Sequence, residues 1–212
     1  MQKEGNKTAS ARITIDSELE TSDFIAAAIE RKLAQGKRAG AKYSKGNRRA
    51  AVATATGISS AASADGVCGA AITTGLQSAA SAVGVYGAAV TTGLQSAAIA
   101  TGYQSAAITK SYDSAAATTG PRSLASSTGD HSVASSAGDD SKASSTGKHS
   151  AALSFGRAGR VRGAEGCALF LVFRDVKGDI KHAWAGIAGR DGIKPMTWYS
   201  LNEEGNPVEC KP

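Results

Sequence analysis

From Gly57 onward, one pattern of small, apolar and polar positions returns every nine residues. Glycine stands at 57, 66, 75, 84, 93, 102, 120, 129, 138, 147 and 156, and Ser111 fills the only gap. In register the rows read GISSAASAD, GVCGAAITT, GLQSAASAV, GVYGAAVTT, GLQSAAIAT, GYQSAAITK, SYDSAAATT, GPRSLASST, GDHSVASSA, GDDSKASST and GKHSAALSF, a consensus of G-x-x-S-A-A-x-[AST]-x. Column six is alanine in every row from Ala62 to Ala152, column four is Ser or Gly, and column eight is Ala, Thr or Ser. Side chains along a strand point to opposite faces with period two. Columns four, six and eight therefore face inward together, and five, seven and nine face out.

A second period lies over the first. GVCGAAITT then GLQSAASAV is followed eighteen residues later by GVYGAAVTT then GLQSAAIAT. One coil is then two nonapeptides, stacked about 4.8 Å from the next, and residues i and i+18 form ladders along the axis. The expected fold is an all-β parallel solenoid with two rows per turn, six turns over 57–164, and a thin core of small side chains. Glycine in column one supplies the corner. The column-four hydroxyls, buried there, should bond corner backbone groups, because an unpaired buried hydroxyl is costly.

A solenoid has open ends that need capping. Ala-Arg-Ile-Thr-Ile-Asp at 11–16 alternates like a strand, and Thr21 or Ser22 then opens a helix with Phe24, Ile25, Ile29 and Leu33 on one face. Beyond 164, the apolar run Cys167 to Phe173, the turn at Lys177-Gly178 and the strand-like Ile180 to Ile187 read as a β-hairpin. Pro195, Trp198, Tyr199, the turn Asn202 to Gly205 and Val208 supply large residues that the roll lacks, and read as the core of a small C-terminal β-cap. The expected divisions are 1–47, a strand-helix cap and basic arm; 48–164, the solenoid; and 165–212, the C-terminal cap.

Composition agrees with a core of small residues, since only 5% of the residues are aromatic. The opening residues MQKEGNKTASAR are polar, and no stretch approaches the ~18 apolar residues of a membrane span, so the expectation is a cytoplasmic chain without signal peptide or membrane contact. Cys68, Cys167 and Cys210 form no CxxC pair and leave an odd thiol, which argues against a disulfide framework or zinc site. They read as small buried hydrophobes.

The net charge of +6 is unevenly placed. Arg31, Lys32, Lys37, Arg38, Lys42, Lys45, Arg48 and Arg49 follow one another with no acid until Asp65. This arm, with Arg157, Arg160 and Arg162, could neutralise phosphates, but only Tyr43 interleaves with it, so it reads first as a solvated arm.

Chemistry elsewhere is sparse. Column three of alternate rows runs Ser59, Gln77, Gln95, Asp113, His131, His149, so the last three stack as neighbours on one edge. Two stacked imidazoles near Asp130 could bind a divalent metal; with no further ligand to name, they read as solvated corner residues. No Ser/His/Asp set is supported, because serine is a structural unit here and His182 belongs to the end hairpin. Neither catalysis nor a cofactor is expected. Column seven gives Ile72, Val90 and Ile108 at spacings of eighteen, beside Ala70, Ala88 and Ala106, an outward apolar stripe suited to a protein partner or a second copy. The lower coils carry Leu124, Val133 and Lys142 in column five and Ser126, Ser135 and Ser144 in column seven, a more polar half.

The rows GLQSAAIAT and GYQSAAITK, ending in GIKPMTWYSLNEEGNPVE, resemble a family of bacteriophage and prophage proteins with tandem GYQSAASAT-type repeats. The resemblance runs from about residue 8 onward. It implies a phage-associated protein, shortened relative to relatives that place another domain before the segment like ASARITIDSELETSDFIAAAIE, and it brings no catalytic residues. The S-x-A-x-x-G rhythm is more distantly similar to the β-roll heads of trimeric autotransporter adhesins, without their coiled-coil stalk or anchor. The calcium β-rolls share the nine-residue period, but their paired glycine and inward aspartate have no counterpart here. The expected function is a non-enzymatic binding or assembly protein. A nucleic-acid-directed or counter-defence inhibitor acting through the basic arm is the first alternative. An ice-binding role, suggested by outward Thr74, Thr92, Thr128 and Thr146 with Lys110 interrupting, is the second.

Overall fold

The computed structural model describes residues 43–47 and 51–211. The expected strand at 11–16 and the helix after Thr21 lie outside them. Each row of the repeat forms one strand, and successive strands alternate between two nine-stranded sheets. Sheet A holds β1 (Tyr43–Asn47), β3 (Ser59–Asp65), β5 (Gln77–Val83), β7 (Ala97–Thr101), β9 (Ala115–Thr118), β11 (Val133–Ser136), β13 (Ala151–Ser154), β15 (Ala168–Arg174) and β16 (Ile180–Ile187) in that order. Sheet B runs from β2 (Val52–Thr56) through β4 (Ala70–Thr74), β6 (Ala88–Thr92), β8 (Ala106–Thr109), β10 (Leu124–Ser127), β12 (Lys142–Ser145) and β14 (Arg160–Gly163) to β17 (Tyr199–Leu201) and β18 (Pro207–Glu209). Among the described residues the fold is all-β.

The register is the one the double period requires. Within the roll the pairs are parallel and join residues eighteen apart, as in Ala80↔Ala98, Val90↔Ile108 and Ala125↔Ala143. Alanine fills column six from Ala62 to Ala152, at 0–2% exposure throughout, and it lines the core with column eight. The stacking starts earlier than the glycine rows: Tyr43 pairs with Ala61 and Val52 with Ala70, and Ala51, Ala53 and Ala55 are buried in the inward columns. The backbone around Lys45, expected in the arm, thus belongs to the roll. At the far end one residue drops out, so Ala151 pairs with Ala168. Cys167 takes over the inward corner position there, its thiol donating to the Gly147 carbonyl at 3.1 Å.

Column-one glycine is needed for stacking as well as turning. A Cβ on Gly120 would sit 1.7 Å from the Gly102 carbonyl oxygen one coil below, and the same overlap recurs up the column. The corners come in two kinds. In the early coils the column-one N–H donates to the column-nine carbonyl of the next coil, as Gly75 does to Thr92 at 3.1 Å. Gly93 instead donates to the hydroxyl of Ser111 at 2.7 Å. From that coil on, the column-three residue takes a left-handed backbone, from Gln95 (φ 55°) to Ala158 (φ 53°), and its N–H reaches the column-two carbonyl of the next coil, as Gln95 does to Tyr112 at 2.9 Å. Strands shorten from seven residues in β3 and β5 to four in each strand from β8 to β14. On one edge the change coincides with the row that lacks glycine, and on the other it falls at Gln104, between Gly102 and Gly120.

Column-four serines are satisfied as expected. Ser123 donates to the Gly102 carbonyl at 3.1 Å and accepts the Ser105 backbone N–H at 3.1 Å, and Ser132, Ser141 and Ser150 repeat the arrangement. The end is closed by an antiparallel hairpin of β15 and β16, turned through Asp175 to Asp179, and by a second hairpin of β17 and β18. Trp198 and Tyr199 are buried in this cap. The indole of Trp198 lies over the Arg162 guanidinium at 4.7 Å, and the Tyr199 hydroxyl accepts the Lys194 N–H at 2.9 Å. Of the cysteines only Cys167 is fully buried, and burial raises its thiol pKa. Cys68 is exposed, because column three projects from the corner rather than into the core.

Candidate interaction faces

Each sheet offers columns five and seven as its outer face, and the two faces differ. On sheet B, Ile72, Val90 and Ile108 form the expected ladder in β4, β6 and β8, on the side away from Ala71, Ala89 and Ala107 and apart from the core cluster. Their exposures are 3%, 8% and 5%, and Ala88 and Ala106 beside them are also buried. The stripe is therefore apolar and outward but not an open surface. Alternation along a strand tells which side a residue faces, and the cover over that side is a tertiary property it does not carry. Further along the same sheet the face becomes basic, with Lys142, Arg160 and Arg162.

Sheet A is open. Ile99 occupies the same column as Ile108 but is 45% exposed. From β3 to β15 its outer columns read Ala61 and Ser63, Ala79 and Ser81, Ala97 and Ile99, Ala115 and Ala117, Val133 and Ser135, Ala151 and Leu153, Ala168 and Phe170. No residue of these seven pairs is charged. Val133 and Phe170 join Ile99 as exposed large side chains on this face.

The corner entering sheet A borders that face. Its column-two side chains Ile58, Leu76, Leu94 and Tyr112 are all exposed, a ridge at eighteen-residue spacing that gives way to Asp130 and Lys148. The pattern was visible in column two of the sequence, but only the opening of this corner to solvent makes it a surface. Column three forms the rim beside it, with Gln77 Nε2 donating to Gln95 Oε1 at 3.4 Å. A shallow groove of about 690 Å³ runs between this rim and a floor of Ala61, Ala79, Ala97 and Ala115.

Lower on the edge, Tyr112, His131 and His149 stack, their ring centres 5.1 and 5.2 Å apart. Asp113 precedes His131 by one coil in the same column, but among the described residues no three His, Cys, Asp or Glu side chains gather around one point. The opposite corner is ionic: Asp140 pairs with Arg160 at 2.9 Å and with Arg122 at 3.7 Å, and Arg122 donates to the Tyr103 hydroxyl at 2.6 Å. Of the basic arm, Arg31, Lys32, Lys37, Arg38, Lys42, Arg48 and Arg49 lie outside the described residues, and Lys45 enters only as backbone of β1. The column-nine threonines sit at the ends of the sheet B strands: Thr74, Thr92 and Thr146 are half-buried, and Thr128 is exposed and donates to the Thr109 carbonyl at 3.4 Å.

Among the described residues no helix is long and apolar enough to cross a membrane. A scan of family models, a search of curated proteins and a search of solved structures each find no match to this chain.

Proposed function

We propose that this chain is a non-enzymatic, phage-associated binding or assembly protein that presents the outer face of sheet A to a protein partner, copies of itself included. The observation that carries the reading is the uncharged pair of outer columns, five and seven, across seven strands, bordered by the Ile58, Leu76, Leu94 and Tyr112 ridge. Contiguous exposed apolar surface marks an interface, and interface cores are depleted in charge. A rigid ladder also presents its contacts already ordered, so little conformational entropy is lost on docking. The phage association rests on the resemblance of the repeat rows and C-terminal segment alone.

The test is light scattering on the full chain over a wide range of concentration, alongside Ile99→Lys. That substitution puts a charge in the middle of the face without touching columns four, six or eight. The expected result is a mass above the 21.3 kDa of one chain that grows with concentration, and a variant that stays folded near 21.3 kDa. A single-chain mass for the unmodified protein throughout overturns self-assembly. Equal masses for both proteins overturn the choice of face.

The basic arm supports the counter-defence or nucleic-acid reading, and salt separates the two. Binding to a DNA or RNA duplex through phosphates weakens steeply as salt rises, whereas contact through the uncharged face does not.

A further inference from the structure

The edge carrying column three brings an imidazole from each of two successive coils to the same height above the corner. His131 and His149 are eighteen residues apart, and both take the left-handed backbone, φ 57° and 55°, so their Cα–Cβ bonds leave the corner in parallel. The ring centres are 5.2 Å apart with planes tilted by 40°, and both rings are exposed. Asp130, one residue before His131, accepts the Lys148 N–H on Oδ1 at 2.7 Å, which ties the corner of one coil to the corner of the next.

We propose that His131 and His149 form a two-imidazole chelate for a divalent transition ion of the zinc, nickel or copper class. With metal–nitrogen distances of about 2.0–2.1 Å, two imidazoles on one ion hold their ring centres roughly 4.5–6.5 Å apart, from a right-angled to a linear arrangement. The observed separation falls inside that range, so side-chain rotation alone can converge the nitrogens while the backbone stays in place. Imidazole suits these ions, whereas calcium and magnesium demand oxygen ligands. The neutral ring is the binding form. Water fills the remaining positions, leaving room for a ligand atom from another molecule. The site lies on the rim of the sheet A groove, which His131 also lines, but its test reads ion binding and not association.

The experiment is calorimetric titration of the tag-free full chain with Ni²⁺ and with Zn²⁺, repeated on His131→Asn, His149→Asn and His182→Asn. Asparagine is chosen because it tolerates the left-handed backbone at both corners. The chain contains only these three histidines, so His182, in the end hairpin, is the internal control. One ion per chain is expected. His131→Asn and His149→Asn should each weaken binding at least tenfold, since even the loss of outer-shell partners costs about 10–100-fold, while His182→Asn leaves it unchanged. Nitrogen coupling from two imidazoles in the electron paramagnetic resonance spectrum of the Cu²⁺ form identifies the ligands directly. No measurable binding, retention of affinity in either corner variant, or loss of it in His182→Asn overturns the proposal.

Discussion

Thr91→Val should make the protein more stable, although it removes a hydrogen-bonding group from the interior. Thr73, Thr91 and Thr109 stand in register in column eight of β4, β6 and β8, all fully buried, and none of their hydroxyls has a hydrogen-bond partner. A buried hydroxyl without a partner costs about 1–3 kcal/mol of desolvation. Valine has the same shape, and its extra methyl adds up to ~0.8 kcal/mol of apolar burial. The net gain should be about 1–2 kcal/mol. At roughly 2–4 °C per kcal/mol for a chain of this size, the melting temperature should rise by about 2–8 °C. Ser127→Ala in the same column is the opposite experiment, because the Ser127 and Ser145 hydroxyls bond each other at 3.0 Å. Removing the Ser127 hydroxyl leaves that of Ser145 with only the weaker Cys167 thiol as a partner and should cost about 1–2 kcal/mol. Denaturant melts on both variants, with unchanged m-values, make the comparison quantitative. If Thr91→Val loses as much stability as Ser127→Ala, the threonine hydroxyls are bonded in solution and the reasoning fails.

The remaining expectations use the same melts. Val90→Lys should destabilise the fold by several kcal/mol rather than dissociate an oligomer, because Val90 is 8% exposed and an unpaired charge there must be desolvated; a variant of unchanged stability would show the stripe to be open in solution. Gly120→Ala should prevent correct stacking, since the new Cβ meets the Gly102 oxygen at 1.7 Å with no left-handed φ to blame, whereas Gly166→Ala, with empty space around it and φ 81°, should cost only the ~1–2 kcal/mol of a left-handed residue. At the hairpin turn, desolvation pushes Asp175 upward, but the hydrogen bond from Lys181 and those from the Asp179 and Lys177 N–H groups outweigh it and its pKa is lowered. A lowered folded-state value means that this stabilisation is present above the unfolded carboxylate pKa of about 3.9 and is lost as pH falls through the folded one. The protection factors of the Lys177 and Asp179 amides, taken against intrinsic exchange at each pH, should therefore fall below about pH 4 and stay flat above it.

What the sequence made legible follows from how strict each column is. Alanine in column six and small residues in four and eight admit one side of a strand only, so the core, the i+18 register and the serine bonding could be read directly. β2 falls inside the expected 48–164 although its row lacks the glycine, because Ala51, Ala53 and Ala55 keep the inward columns, whereas β1 falls before it in the stretch read as the arm. The burial of Ile72, Val90 and Ile108 could not be read at all: alternation distinguishes inward from outward, and cover is a separate tertiary fact.

Ser111 shows why an exception in a repeat carries more than the rule. Column one excludes a Cβ because the carbonyl of the coil below occupies its place, so a serine there requires the corner to be rebuilt around it. The structure does this by handing the Gly93 N–H to the Ser111 hydroxyl in place of a backbone carbonyl. Only after that exchange do the ladders run through the column-three backbone, with Asp113, His131 and His149 in the left-handed conformation on one edge. Left-handed φ is tolerated by Asn, Asp and His more than by most side chains, and column three changes in the same region from Gln77 and Gln95 to Asp113, His131 and His149. The same left-handed corner runs along the opposite edge from Gln104, where Gly102 and Gly120 keep column one, so the corner type does not need a serine, and what Ser111 supplies is the hydroxyl partner of the Gly93 N–H on its own edge. Ser111→Gly should test this directly. It removes the hydroxyl acceptor, leaves the Gly93 N–H to find a carbonyl, and should lower the melting temperature although it restores the consensus residue. A rise in stability, as consensus substitutions commonly give, would mean that the Ser111 hydroxyl holds the Gly93 N–H no better than a backbone carbonyl does.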